Sequence, residues 1–484
     1  MTRTERDSLG KVEVPDGVYY GSFTARALEN FELSGETPPP ELVAALGKIK
    51  IAAARVNEEF GNLDREKSQA IVSAAEEVVA GEYEEEFPLD LIQAGAGTPI
   101  HMNVNEVIAN RATELLGGKL GDYLVHPNDH VNMGQSSNNV VPTSFRLVIL
   151  ELKKDLSTEM EKLGEVFEEK SDEFANLVKV GRTHYQDAVP VTLGQEFGAY
   201  AHVCRRSVKS IAEAAESLYE VGLGGNAVGT GINTAPGFRK RLVAELSSIT
   251  GVDLIPAKDP VATTQSMEPF LRFSGSLRDV ATELVKVSDD LMFLSSGPKA
   301  GVNELELPEV EPGSSIMPGK VNPSIVEAVK MSLLQVLGYD QTVSLASREG
   351  HLELNVMTPL IGKNLISAVL LFTRSMKTFR EDCVRGIRPN REVIKSNFDK
   401  STAVATALSP YLGYERVADL VKTSLKEERG LRELVLDREW LTENELETVL
   451  DPERLTSPGE IDDQLREKVE KRLKKGSSGD GGSN

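Results

Sequence analysis

From Pro142 onward, apolar residues return every three or four positions through long stretches without a helix breaker. These stretches cover about 143–176, 193–221, 264–296, 324–347 and 358–386. In the first, Phe145, Val148, Ile149, Leu152, Leu156 and Leu163 fall largely on one side, the stripe of a helix with one buried face. Helices of 25 or more residues in series predict a long bundle. Several are apolar on more than one face, which predicts burial on two sides and hence oligomerisation. Upstream, residues 1–135 mix short helical stretches with loops rich in Gly, Pro and Asn. Within them, Pro40–Phe60 has helical spacing at Leu42, Val43, Leu46, Ile49 and Val56. Strand-like alternation is scarce.

The expected organisation is mainly α. A mixed helical and loop domain spans 1–135, a central bundle of long helices 136–387 and a small helical domain 388–475. The Gly/Ser-rich tail 476–484 has the composition of a disordered linker. Two loops interrupt the bundle pattern, GLGGNAVGTGINTAPG at 222–237 and the stretch 297–323.

Composition narrows the partners. The 75 acidic and 54 basic residues leave a formal charge of −21, which argues against nucleic acid or an anionic membrane. The two cysteines, Cys204 and Cys383, make no disulfide framework and sit in no metal-ligand spacing. The start has no apolar signal region, and no apolar run is long enough to span a bilayer. A cytoplasmic protein is expected.

The strongest chemical signal is Gly313-Ser314-Ser315-Ile316-Met317-Pro318-Gly319-Lys320-Val321-Asn322-Pro323. A glycine followed by two serines makes a loop whose backbone N–H groups are able to converge on an anion. Lys320 adds a fixed charge and Asn322 an amide donor, while Pro323 suits the start of the next helix. Such a loop holds a carboxylate and the further charge that develops when the neighbouring carbon is deprotonated. A second glycine cluster, Gly222-x-Gly224-x-x-Ala227, fits a loose dinucleotide pattern. It follows a helical stretch rather than a strand, so a nucleotide site is not expected there and close backbone packing is.

The eleven-residue signature resembles that of the fumarase/aspartase superfamily. AGAGTPIHMNVNEVIANRA (94–112), HPNDHVNMGQSSNN (126–139), GRTHYQDAVPVTLGQEF (181–197), GGNAVGTGINT (224–234) and GHLELNV (350–356) are similar to further blocks of that family, in its order. The resemblance covers about residues 5–460. It implies a three-domain lyase, a homotetramer with a 20-helix core, and active sites shared between subunits. It implies no metal and no organic cofactor, and a small dicarboxylate as substrate.

Residue by residue, the resemblance makes Ser314 the base and His184, paired with Glu327, the group that handles the leaving group. Lys320 and Asn322 bind the carboxylate beside the deprotonated carbon. Thr98, Ser136, Ser137, Asn138 and Thr183 clamp the substrate. His126, Asn128 and Asp129 resemble a secondary anion site, although HPND also reads as an ordinary turn. One departure is Asn139, where the family's block usually carries Asp. The family's chemistry adds water or ammonia to fumarate. Ser137 and GGNAVGTG lean toward water and (S)-malate, whereas AGAGT and LNVMTP lean toward ammonia and aspartate. A catalytically silent oligomer is the third reading.

Overall fold

A computed structural model describes residues 1–477, and the last seven residues of the tail lie outside the described residues. The chain separates into two compact units that each draw on three segments. The first comprises Met1–Glu159, Ser207–Leu284 and Met331–Ser375, and the second Met160–Arg206, Val285–Lys330 and Met376–Asn484.

The long periodic stretches are helices: Ser137–Glu173, Leu193–Ala215, Glu268–Leu294, Ser324–Ser347 and Thr358–Thr378. The expected second and fifth stretches end early. The second passes at Glu216 into a 3-10 turn and a short strand, and the fifth at Phe379 into a π turn. The fold is mainly α-helical, and strands are as scarce as expected: among the described residues they form four two-stranded sheets. Thr2–Asp7 pairs with Gly10–Pro15, and Val178–Thr183 with Gln186–Thr192, both antiparallel.

In the first unit, helix Pro40–Glu59 packs on Arg65–Val79 and on Phe238–Thr250, while Arg65–Val79 packs on Thr98–Leu115. Pro40 pre-sets φ at the first turn of its helix, and the Asp64 side chain accepts Lys67 N–H to start the next. The facing side chains, including Leu46, Ile49, Val56, Ile71 and Ala74, are fully buried. Gly362 lies where a Cβ would intrude on the ring of buried Phe145, so two helices approach closely there. Gly362→Ala is expected to cost about 1–3 kcal/mol, measured as a lower denaturant midpoint with an unchanged slope.

In the second unit, the residues after Arg388 form shorter helices around their own apolar cluster, with Leu408, Leu420, Val435, Leu446 and Val469 at its centre. Thr442 and Glu445 form a capping box at the start of helix Glu443–Val449. The final helix runs to Ser477, so the first two residues of the expected linker are helical. No helix among the described residues is long and apolar enough to cross a membrane.

Candidate functional site

The eleven-residue signature folds into a loop closed on itself. Gly313 N–H donates to the Lys320 carbonyl at 2.9 Å, and the Asn322 amide donates to the Gly313 carbonyl at 2.6 Å. Inside this ring the Ser314 Oγ accepts Met317 N–H at 3.0 Å and Ile316 N–H at 3.2 Å. The serine hydroxyl therefore already faces two amide donors. Lys320 is exposed on the rim, beside Ile316 and Met317 at 85% and 53% exposure. The helix opens at Ser324, one residue later than the proline suggested, and places Glu327 in its first turn. A Cβ on Gly313 would lie 2.6 Å from the Asn322 nitrogen, so only glycine lets the strands of the ring cross. Gly313→Ala is expected to open the ring and lower turnover about a hundredfold, because misplacement by an ångström costs that much. Steady-state rates beside an unchanged unfolding midpoint check it.

His184 sits at the tip of the hairpin Val178–Thr183/Gln186–Thr192, whose last pair is Thr183 with Gln186. The two-residue turn between them is His184-Tyr185, with φ of 56° and 59°. Turns of this kind normally take Asn-Gly, and each side chain held in this region costs of order 1 kcal/mol. The Tyr185 ring meets Phe293 at 5.4 Å, while His184 and Thr183 are exposed.

A buried charge cluster fixes the hairpin's base. Arg182 grips Glu304 through two hydrogen bonds of 2.7 and 3.0 Å. Lys179 reaches Glu304 at 3.2 Å and Glu196 at 2.8 Å, and Asn397 also donates to Glu304. Burial pushes the Glu304 carboxyl upward, but Arg182, Lys179 and Asn397 outweigh it and hold it below the usual range. Burial wins at Glu196 and raises its carboxyl despite Lys179. Sequence reasoning missed this cluster, whose signal was two basic residues, Lys179 and Arg182, in a strand it did not expect.

Four of the clamp residues, Thr98, Ser136, Ser137 and Asn138, belong to the first unit, whereas Thr183 is on the hairpin of the second. Three successive left-handed residues, Gly95, Ala96 and Gly97, lead into helix Thr98–Leu115, and the Thr98 hydroxyl donates to the Gly95 carbonyl at 2.6 Å. Ser136 caps helix Ser137–Glu173: its carbonyl accepts Val140 N–H, and its Oγ accepts Asn138 N–H. The Asn138 amide donates to the Ala227 carbonyl at 2.7 Å. Thr98, Ser136, Ser137, His126 and Asn128 line one cavity of about 940 Å³, together with Gln135. Asn138 and Asp129 are not on its wall. The His126 ring caps the turn Pro127–Val131, Nδ1 accepting from Asn128 and Asp129 N–H, so HPND is a turn and His126 lines the cavity as well. Asn139 is buried, donating to the Thr264 hydroxyl at 3.1 Å, with its carbonyl unpartnered among the described residues.

Thus the serine loop, the histidine tip with Thr183, and Glu327 belong to the second unit, and Thr98, Ser136, Ser137 and Asn138 to the first. Among the described residues no hydrogen bond or ion pair joins His184 to Glu327 within one chain. No group of three or more His, Cys, Asp or Glu residues is arranged to hold a metal among them. The glycine cluster at 222–227 does follow a strand, Glu220–Val221, which corrects the helical context expected for it. No helix opens there; the next begins at Phe238. Gly229, in the same loop, presses on the Pro260 backbone, so its lack of a side chain serves packing.

Known proteins share this architecture and much of this sequence. Residues 10–338 match the family described as Lyase, and 404–457 match the Fumarase C C-terminus. The aspartate ammonia-lyase of Bacillus subtilis (strain 168) is 43% identical over 467 residues, 96% of this chain and 98% of that one. The class II fumarate hydratase of Thermosynechococcus vestitus is 43% identical over 448 residues, 92% of this chain and 96% of that one. The crystal structure of a fumarate lyase:delta crystallin from Brucella melitensis superposes with a TM-score of 0.92 at 44% identity, covering 95% of this chain and all of that one. The chain belongs to the fumarase/aspartase superfamily of lyases.

Proposed function

We propose that this lyase catalyses the reversible hydration of fumarate to (S)-malate. The observation that carries the reading is the serine loop, where two backbone amides point at the Ser314 oxygen. Donors aimed at an oxygen favour its anion, which is what a serine needs to act as a base near neutral pH. In the malate-to-fumarate direction Ser314 takes the proton from the carbon beside one carboxylate. Lys320 and Asn322 bind that carboxylate, so the electron pair left behind moves onto its oxygens as an aci-carboxylate. The pair then returns to form the double bond, and the C–O bond breaks on the opposite face. His184, held by Glu327 of another copy, gives the departing hydroxide a proton, and water leaves. Thr98, Ser136, Ser137, Asn138 and Thr183 orient the substrate, and His126, Asn128 and Asp129 form a secondary anion site.

Assembly follows from the same reading. On helix Ser324–Ser347, Met331, Leu334 and Leu345 are 66%, 50% and 58% exposed, an apolar face that a homotetramer would cover. Light scattering is expected to give four copies per particle.

The second reading is aspartate ammonia-lyase, favoured by the equal similarity to relatives of both names. Ser137 favours water, because a site tuned to a hydroxyl and one tuned to an ammonium differ in charge and donor count. Fumarate absorbance followed separately from malate and from aspartate decides between them. Formation from malate alone is expected; formation from aspartate alone replaces the proposal with the second reading. Formation from neither leaves the silent oligomer.

A further inference from the structure

Behind the clamp lies a buried chain of contacts with no carboxylate in it. Lys50 and His101 are both fully buried, on helices Pro40–Glu59 and Thr98–Leu115. The Lys50 Nζ lies 2.5 Å from His101 Nε2, 2.8 Å from the Gln135 side-chain oxygen Oε1 and 3.4 Å from the Asn132 side-chain oxygen Oδ1. On the other side of the ring, His101 Nδ1 lies 2.8 Å from the Ser137 Oγ.

We infer that Lys50 and His101 are positioning residues that fix Ser137 as a hydrogen-bond donor into the cavity. The inference rests on the proposed dicarboxylate site and names what sets the polarity of one clamp hydroxyl.

The direction follows from donor counting. An ammonium has three hydrogens and no acceptor, and Lys50 meets three candidate acceptors. Gln135 cannot present its amide nitrogen to Lys50, because that nitrogen donates to the Val131 carbonyl at 2.9 Å. With Lys50 donating, His101 Nε2 must accept, so the single ring proton sits on Nδ1 and points at Ser137. Ser137 Oγ then receives a hydrogen from behind, and its own hydrogen turns toward the cavity it lines. The converse tautomer would make Ser137 donate backward and offer only lone pairs to a carboxylate. Two protons cannot face each other across 2.5 Å, so the pair carries one between these nitrogens. Burial and then the Lys50 charge lower His101, so its ring stays neutral. Burial lowers Lys50 as well, and the three acceptors within 3.4 Å work against loss of its proton.

The test is calorimetric titration of the full chain with succinate, a dicarboxylate that cannot react, on single and double variants. Ser137→Ala is expected to weaken binding about tenfold, the size of one hydrogen bond to a charged group. Lys50→Met frees the ring to accept from Ser137, so it too is expected to weaken binding about tenfold, but less than about twofold when Ser137 is already alanine. Losses that multiply in the double variant overturn the inference. If Lys50→Met does not fold, His101→Asn and His101→Phe replace it. The asparagine amide stands where Nδ1 stood, so it is expected to retain affinity within about threefold while phenylalanine does not. Equal losses from both overturn the inference. A wild-type chain that neither binds succinate nor forms fumarate sinks the proposed function along with the inference. Wild-type binding and turnover with independent losses sinks the inference alone.

Discussion

Ser314→Ala is expected to lower the maximal rate about a thousandfold, within the range that a positioned base supplies, while succinate affinity stays within about threefold. The rate should fall because Ser314 is the loop hydroxyl whose oxygen gathers two backbone amides, the setting that favours its anion. Affinity should hold because the ring is tied by Gly313, Lys320 and Asn322, none of which uses the hydroxyl. The contrast matters, since the same oxygen also accepts two amides and so has a structural role in the turn. Steady-state kinetics and calorimetry separate the two. A base acts only in the transition state, and its loss appears in kcat with little change in binding. Equal losses of rate and affinity would show that the hydroxyl merely shapes the loop.

Glu304→Gln is the substitution expected to cost most in stability, about 3–5 kcal/mol. Glu304 has no exposed surface, and Lys179, only 1% exposed, would keep its charge with Glu196 alone as partner. Arg182 would lose its charged partner and one of the two acceptors of its fork, because a glutamine amide keeps a single acceptor oxygen. Glu196→Gln should cost far less, because burial already raises that carboxyl and its charge is poorly solvated. Urea unfolding of both variants at neutral pH measures the difference, and equal effects would refute the assignment of Glu304 as the cluster's anchor. The sign of the pH dependence follows. Glu304 is depressed in the folded state, so its contribution is complete above the unfolded carboxyl value of about 4.3. It is lost as pH falls toward its folded value. The Gln variant should lack that acid-dependent loss.

The long helices were legible because their apolar faces repeat over many turns, as from Phe145 to Leu163. The second hairpin was not. Its turn, His184-Tyr185, contains none of the residues that mark a reversal, and Gly181 breaks the alternation at a bulge. A Cβ at Gly181 would meet the Val189 carbonyl at 2.5 Å, which is the physical reason for the break. The motif residues of the candidate site were visible as types and spacings, but their bonding was not. That the Ser314 oxygen gathers two amides, or that Thr98 turns its hydrogen back onto Gly95, depends on backbone angles a string of letters does not carry. Lys50 did leave a trace. It stands seven residues after Val43, on the same helix face, where an apolar residue would be expected. A lysine there announces a buried polar partner, and the partner, His101, lay about fifty residues away.

The tie between Gly313 and Lys320 makes the serine segment a small lariat. Ordering a free stretch of that length would cost on the order of 1 kcal/mol or more per residue at the moment of binding. Here the knot meets that cost during folding. An arriving anion therefore finds its amides already aimed, and any movement of the segment is a swing of one stiff piece about its two adjacent ends.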